Sequence, residues 1–160
     1  MKSIRHLAIA AAIISGMSGL AYADSNASAQ VGASVSLVNS GTVSASWVPA
    51  AGMSGNSGAG SEIGSLDISF SGGNTIVIKD AIPQEMPNMF TWTNDSDSGE
   101  KLYGDAYYQG KIVNTNVGGE AVVRNLDGKN NIQVVFKKES NQKLKPGNYS
   151  NTLLVDLYTL

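Results

Sequence analysis

The chain has 160 residues, with eleven Lys or Arg, thirteen Asp or Glu, one histidine and no cysteine, for a formal charge of −2. This mild acidity argues against a nucleic-acid or anionic-lipid partner, because both require a basic patch. Without cysteine, stability has to come from packing or from a partner, and not from the disulfides that small secreted domains often use.

The first 23 residues have the three parts of a secretory signal peptide. Lys2 and Arg5 precede the apolar run Leu7–Ile14, and Ala21-Tyr22-Ala23 supplies the small-residue cleavage motif. The apolar run is far shorter than the roughly 20 residues of a membrane-spanning helix. Cleavage after Ala23 removes two basic residues and the histidine, and leaves 137 residues with a formal charge of −4. We therefore expect an exported product with one domain.

The segment after the predicted cleavage site alternates between apolar and polar residues. Every second residue from 27 to 37 is alanine, valine or leucine, and the residues between them are serine, glutamine or glycine. Such alternation predicts a β-strand with one buried face. The residues of that face are Ala27, Ala29, Val31, Ala33, Val35 and Leu37.

The rest of the chain is predicted to form short strands. Segments rich in valine, isoleucine, tyrosine and threonine are separated by glycine, serine, asparagine and aspartate, which is typical of antiparallel strands joined by turns. The predicted strands are 42–48, 63–70, 75–79, 89–93, 106–113, 120–125, 131–137 and 149–158. Their spacing predicts a β-sandwich. Residues 52–64 and the acidic stretch 94–100 are predicted surface loops.

The last predicted strand follows the turn Lys145-Pro146-Gly147-Asn148 and alternates from Tyr149 onward. With no strand after it, one of its edges would carry unpaired backbone groups. The spare strand at the start of the mature chain could fill the place beside this edge on another copy. In such strand addition, main-chain hydrogen bonds supply affinity and alternate side chains enter pockets. Because the two surfaces differ, the contact is head to tail and builds an open filament.

Other interpretations are compatible with the same pattern. Residues 27–37 could pair within their own chain as the first strand of a closed sandwich, because alternation does not say whose sheet is joined. The chain could also be a tip adhesin or a monomeric secreted binding module. A hydrolase is disfavoured, because the mature chain lacks the histidine and cysteine that usually serve as base, nucleophile and metal ligand. No catalytic residue, metal site or cofactor is predicted.

Five features resemble one family of bacterial surface proteins. They are the signal peptide, the alternating leader, the strand ending in Ser46-Trp47, the core strand Gly64–Ser69, and the terminal Pro146-Gly147-Asn148-Tyr149 followed by an alternating strand. Together they resemble major subunits of chaperone/usher fimbriae, in particular the cysteine-free thin-fimbria and capsule-like subunits of the SefA type. The similarity spans nearly the whole mature chain. The run 94–97 is also similar to enterotoxigenic colonisation-factor pilins.

The resemblance implies an all-β, immunoglobulin-like β-sandwich that lacks its final strand and is completed by donor-strand complementation. It implies a signal peptide at 1–23, a donor strand at 24–38 and an incomplete pilin domain at 39–160. A periplasmic chaperone would lend a strand during export, and an outer-membrane usher would exchange it for the leader of the next identical subunit. The product would be a cell-surface fimbrium that adheres to a host receptor.

The resemblance also implies roles for particular residues. The apolar face of the leader, from Ala27 to Leu37, would be the donor surface. The acceptor groove would consist of Val43, Ala45, Trp47, Tyr149, Leu153, Val155 and Leu157.

Overall fold

The computed structural model describes residues 41–82 and 88–160. The predicted signal peptide and donor strand lie outside these residues. Within the two described ranges no helix is long and apolar enough to cross a membrane. The strands are β1 (Thr42–Pro49), β2 (Glu62–Ser71), β3 (Thr75–Asp80), β4 (Phe90–Asn94), β5 (Asp97–Tyr108), β6 (Lys111–Ile112), β7 (Glu120–Val123), β8 (Asn131–Lys138), β9 (Tyr149–Ser150) and β10 (Leu153–Tyr158).

The ten strands form two antiparallel sheets. The larger has the order β1-β2-β8-β5-β4-β9, with β6 paired to β5, and the smaller has the order β10-β3-β7. Buried apolar residues from both sheets pack into one core. The predicted all-β sandwich is therefore confirmed.

The core follows from the alternation of the central strands. On β2 and β8 alternate residues are buried and most of them are apolar, and the two strands pair so that Leu66 lies opposite Val134 and Ile68 opposite Ile132. The Phe136 ring is fully buried, with its centroid 5.0 Å from that of Phe90. Each such side chain contributes about 1.5–3 kcal/mol through burial.

One side of the sandwich is closed by hydrogen bonds between the sheets. The Val113 N–H donates to the Ala106 carbonyl of β5 at 2.9 Å, and the Val113 carbonyl accepts from the Val122 N–H of β7 at 3.0 Å. Because β5 belongs to the larger sheet and β7 to the smaller, the segment after β6 joins them.

Strand boundaries differ from the sequence predictions at three places. The predicted strand 106–113 is wrong, because Gln109 and Gly110 have φ values of 50° and 77° and form a turn between β5 and β6. The acidic stretch is only in part a loop: the Asn94 Oδ1 accepts from the N–H groups of Ser96 and Asp97, and β5 begins at Asp97. The predicted strand 149–158 is interrupted at residues 151–152, where the chain passes from the larger sheet to the smaller.

Candidate functional site

The side of the sandwich between β1 and β10 is open. Within the described ranges β1 pairs only with β2, and β10 only with β3. The two strands lie next to each other but form no ladder. All eight residues of β1 are exposed. Each sheet therefore ends here in an edge strand.

The pairing of β10 with β3 shows which residues of β10 have main-chain groups that point away from β3. The Ala81 N–H donates to the Thr152 carbonyl at 2.8 Å, just before Leu153 pairs with Asp80. Hydrogen-bonded pairs alternate with non-bonded pairs along an antiparallel ladder. The main-chain groups of Leu153, Val155 and Leu157 therefore point away from β3, toward the open side.

The same reasoning applies to β1. The Ala50 N–H donates to the Ile63 carbonyl at 3.1 Å, which places Trp47, opposite Leu66, at a non-bonded position. The main-chain groups of Val43, Ala45 and Trp47 therefore point away from β2. Pro49 also occupies a non-bonded position, so its missing N–H removes no bond from the ladder.

The residues whose main-chain groups face the open side also direct their side chains inward. Ala45 lies opposite Ile68 and Trp47 opposite Leu66, both buried in the core. On β10, Val155 lies opposite the buried Ile78. Residues that face each other across an antiparallel pair share one side of the sheet. A strand added between β1 and β10 would therefore contact both the main-chain hydrogen-bonding groups and the apolar side chains of these residues.

Two cavities of about 400 and 550 Å³ lie along the open side and form the groove. The first is lined by Ala45, Trp47, Leu66, Trp92, Tyr149, Ser150, Asn151, Leu153 and Val155. The second is lined by residues that include Trp47, Pro49, Met53, Ile63, Trp92, Leu102, Leu144, Pro146 and Tyr149.

The structure brings five of the seven predicted acceptor residues together along the groove. They are Ala45, Trp47, Tyr149, Leu153 and Val155. The other two line neither cavity. Val43 is 38% exposed, near the start of β1. Leu157 is buried against Gly73, where an added Cβ would lie 2.6 Å from the Leu157 Cδ1.

Trp47, Trp92 and Tyr149 line both cavities, so these three aromatic residues form the boundary between them. The Trp47 ring centroid is 6.0 Å from that of Trp92 and 5.6 Å from that of Phe136. Gly64 gives the Trp47 indole its space, because a Cβ there would lie 2.4 Å from the Trp47 Cζ2. Sequence analysis missed Trp92; its signal was that it is one of only two tryptophans and lies on a predicted strand.

The far end of the second cavity is built from two loops that the sequence alone did not associate. The Leu144 N–H donates to the Gly55 carbonyl at 2.9 Å. The buried Lys138 ammonium donates to the Ser57 carbonyl at 2.6 Å and to the Gln142 carbonyl. These bonds join the loop after β1 to the loop after β8, and so fix the wall of the second cavity.

A buried carboxylate lies where the chain crosses between the sheets. Asp80 is 7% exposed; its Oδ1 accepts from the Asn151 Nδ2 at 2.7 Å and its Oδ2 from the Thr91 N–H at 3.2 Å. Burial raises the pKa of Asp80 to about 6, although both hydrogen bonds act to lower it. Because Asn151 lines the first cavity, Asp80 holds part of the groove wall.

Asp80 makes stability depend on pH. Its folded pKa of about 6 exceeds the ordinary value of 3.8, so the folded chain binds more protons than the unfolded chain between these values. We expect the free energy of unfolding to fall by up to about 3 kcal/mol from this group as pH rises from 4 to 7. Asp80→Asn should remove that contribution. Denaturant unfolding of the wild type and of Asp80→Asn at pH 4 and pH 7 measures this change in the free energy of unfolding. An equal change in the two proteins would contradict the assignment to Asp80.

Comparison with solved structures shows which fold this is. The chain is similar to the Hda pilus minor tip subunit HdaB of Escherichia coli, with a TM-score of 0.60, 13% identity, and coverage of 74% of this chain and 84% of that one. It is similar to a subunit of the AAF fimbriae of enteroaggregative Escherichia coli, with a TM-score of 0.61, 17% identity, and coverage of 74% and 89%. For the Salmonella SafD adhesin the TM-score is 0.54 at 11% identity, with coverage of 74% and 84%.

The class that these similarities define is the immunoglobulin-like β-sandwich of fimbrial subunits, and this chain has that fold. No protein-family model and no curated protein sequence matches the chain. The likeness therefore lies in the arrangement of the strands and not in shared sequence.

Proposed function

We propose that the chain is a structural subunit of a bacterial surface fimbria, which polymerises head to tail by donor-strand exchange and contributes to adhesion to host surfaces. The observation that carries the proposal is the open side of the sandwich. There the strands β1 and β10 direct apolar side chains into one groove, together with main-chain groups that pair with no strand in residues 41–82 and 88–160. The fold shared with fimbrial subunits supports the same role.

The proposed occupant of the groove is the leader of a second copy, residues 24–38, which lies outside the described residues. Its alternating face matches what an edge strand beside an apolar groove requires. Burial of Val31, Val35 and Leu37 would contribute about 1.5–3 kcal/mol each before ordering costs. Export would follow signal-peptide cleavage, with a periplasmic chaperone and an outer-membrane usher as partners.

A tip adhesin is the second candidate. One of the similar structures is described as a minor tip subunit and another as an adhesin, which favours this possibility. A tip subunit has nothing beyond it to complement, so it has no use for an alternating leader. The strict alternation of residues 27–37 therefore favours a repeating shaft subunit. Adhesion is also supported by the AAF fimbriae, whose structure is described with fibronectin binding.

An unheated detergent gel of surface material tests the proposed function. We expect a ladder of multimers, because a strand held by a full ladder of main-chain bonds dissociates slowly. Boiling the same sample should collapse the ladder to a single monomer band. A single monomer band in the unheated sample would contradict strand exchange.

A further inference from the structure

Trp47 occupies the middle of the groove, between the two cavities. Ala45 lines only the first cavity and Pro49 only the second, and each is two residues from Trp47 along β1. Side chains on one face of a strand repeat every two residues, about 6.6–6.8 Å. A strand added beside β1 therefore presents three successive inward residues to the first cavity, to the Trp47 indole and to the second cavity.

The indole of Trp47 cannot withdraw toward β2 or toward the core. A Cβ on Gly64 would already collide with it, so the indole lies directly against the β2 backbone. The rings of Trp92 and the fully buried Phe136 block movement toward the core. An incoming residue opposite Trp47 must therefore be small, whereas its inward neighbours on either side can be larger.

The leader of this chain contains one such pattern. Among its inward residues, Ala27, Ala29, Val31, Ala33, Val35 and Leu37, only one alanine has a larger residue on both sides. That residue is Ala33, between Val31 and Val35. The pattern reads the same from both ends, so the match holds whether the strand runs parallel or antiparallel to β1.

We propose, on the basis of the proposed function, that Trp47 fixes the register of the incoming leader. Ala33 of one copy lies opposite Trp47 of the next, and Val31 and Val35 enter the two cavities. A slip by one residue would turn the polar face of the leader into the groove. A slip by two residues would press a valine against the indole. Trp47 is thus the specificity-determining residue of the groove.

Enlarging Ala33 tests this register. The full chain carrying Ala33→Leu replaces the native copy in the strain that makes it, with Ser34→Leu, the same enlargement at the next, polar position of the leader, as the matched control. Neither change alters a residue of β1–β10. We expect Ala33→Leu to reduce the multimer ladder on an unheated gel at least about tenfold, and Ser34→Leu to keep most of it.

A smaller residue at position 47 of the groove should compensate for a larger residue at position 33 of the leader. The double variant Ala33→Leu with Trp47→Ala should recover the ladder that Ala33→Leu loses, because the indole no longer opposes the leucine. A wild-type ladder with equal effects of Ala33→Leu and Ser34→Leu, or a larger effect of Ser34→Leu, would overturn the register but leave strand exchange intact. Absence of a ladder from the wild-type chain would overturn the proposed function itself.

Discussion

Deletion of residues 24–36 is expected to abolish polymerisation while leaving the sandwich of β1–β10 intact. The deleted segment contains five of the six apolar residues that alternate along the leader, and none of the described strands. Without it, the open groove of each copy has no strand to receive from the next. The shortened subunit should still be held by the proposed periplasmic chaperone, because the edge of β10 is unchanged.

The measurement is the ladder on an unheated gel, together with recovery of the shortened subunit in complex with the chaperone. The matched control replaces only polar residues of the alternating leader, Ser28, Gln30 and Ser34, by lysine, and should keep the ladder. Filaments assembled normally by the deletion would refute a donor role for the leader.

Val155→Pro is expected to prevent strand addition without unfolding the domain. The Val155 N–H points away from β3, so a proline there removes no bond from the β10–β3 ladder. Proline is tolerated on an edge strand when its missing N–H faces outward. The substitution removes a donor that an incoming strand needs and places a ring where that strand would lie. We expect the ladder to be lost.

Val155→Ala is the matched control, because it shortens the side chain but keeps the main-chain donor. It should retain most of the ladder, whereas Val155→Pro should not. Far-ultraviolet circular dichroism of the purified variants checks that both remain β-sheet. An undiminished ladder in Val155→Pro would exclude the edge of β10 as the site of strand addition.

The fold could be predicted from the sequence where burial on one face is regular. On β2 and β8, alternation specified both the strand and its inward face. β5 was not foreseen from Asp97 to Asp105, because most residues there are polar or glycine and are held by pairing with β4. The interruption between β9 and β10 at Asn151 was not predicted either, because Asn151 is held by a hydrogen bond to Asp80, which is distant in sequence.

The residues of the groove also fall into some that the sequence could predict and others that it could not. Ala45, Trp47, Leu153 and Val155 could be named because the family resemblance implied a groove between these strands, and alternation marked their inward positions. Trp92 and Leu144 could not, because they reach the groove only through the packing of β4 and through the bond between two loops. The division into two cavities depends on Gly64, whose role is visible only beside the Trp47 ring.

Both tryptophans of the chain, Trp47 and Trp92, border the groove and lie 6.0 Å apart. All of the indole fluorescence of the subunit therefore originates at the place where a neighbour would attach. Coverage of the half-exposed Trp47 by an arriving chain would exclude water from its ring and shift the emission to shorter wavelength. The molecule thus carries an intrinsic optical probe of its own assembly, which allows the kinetics to be followed without any label.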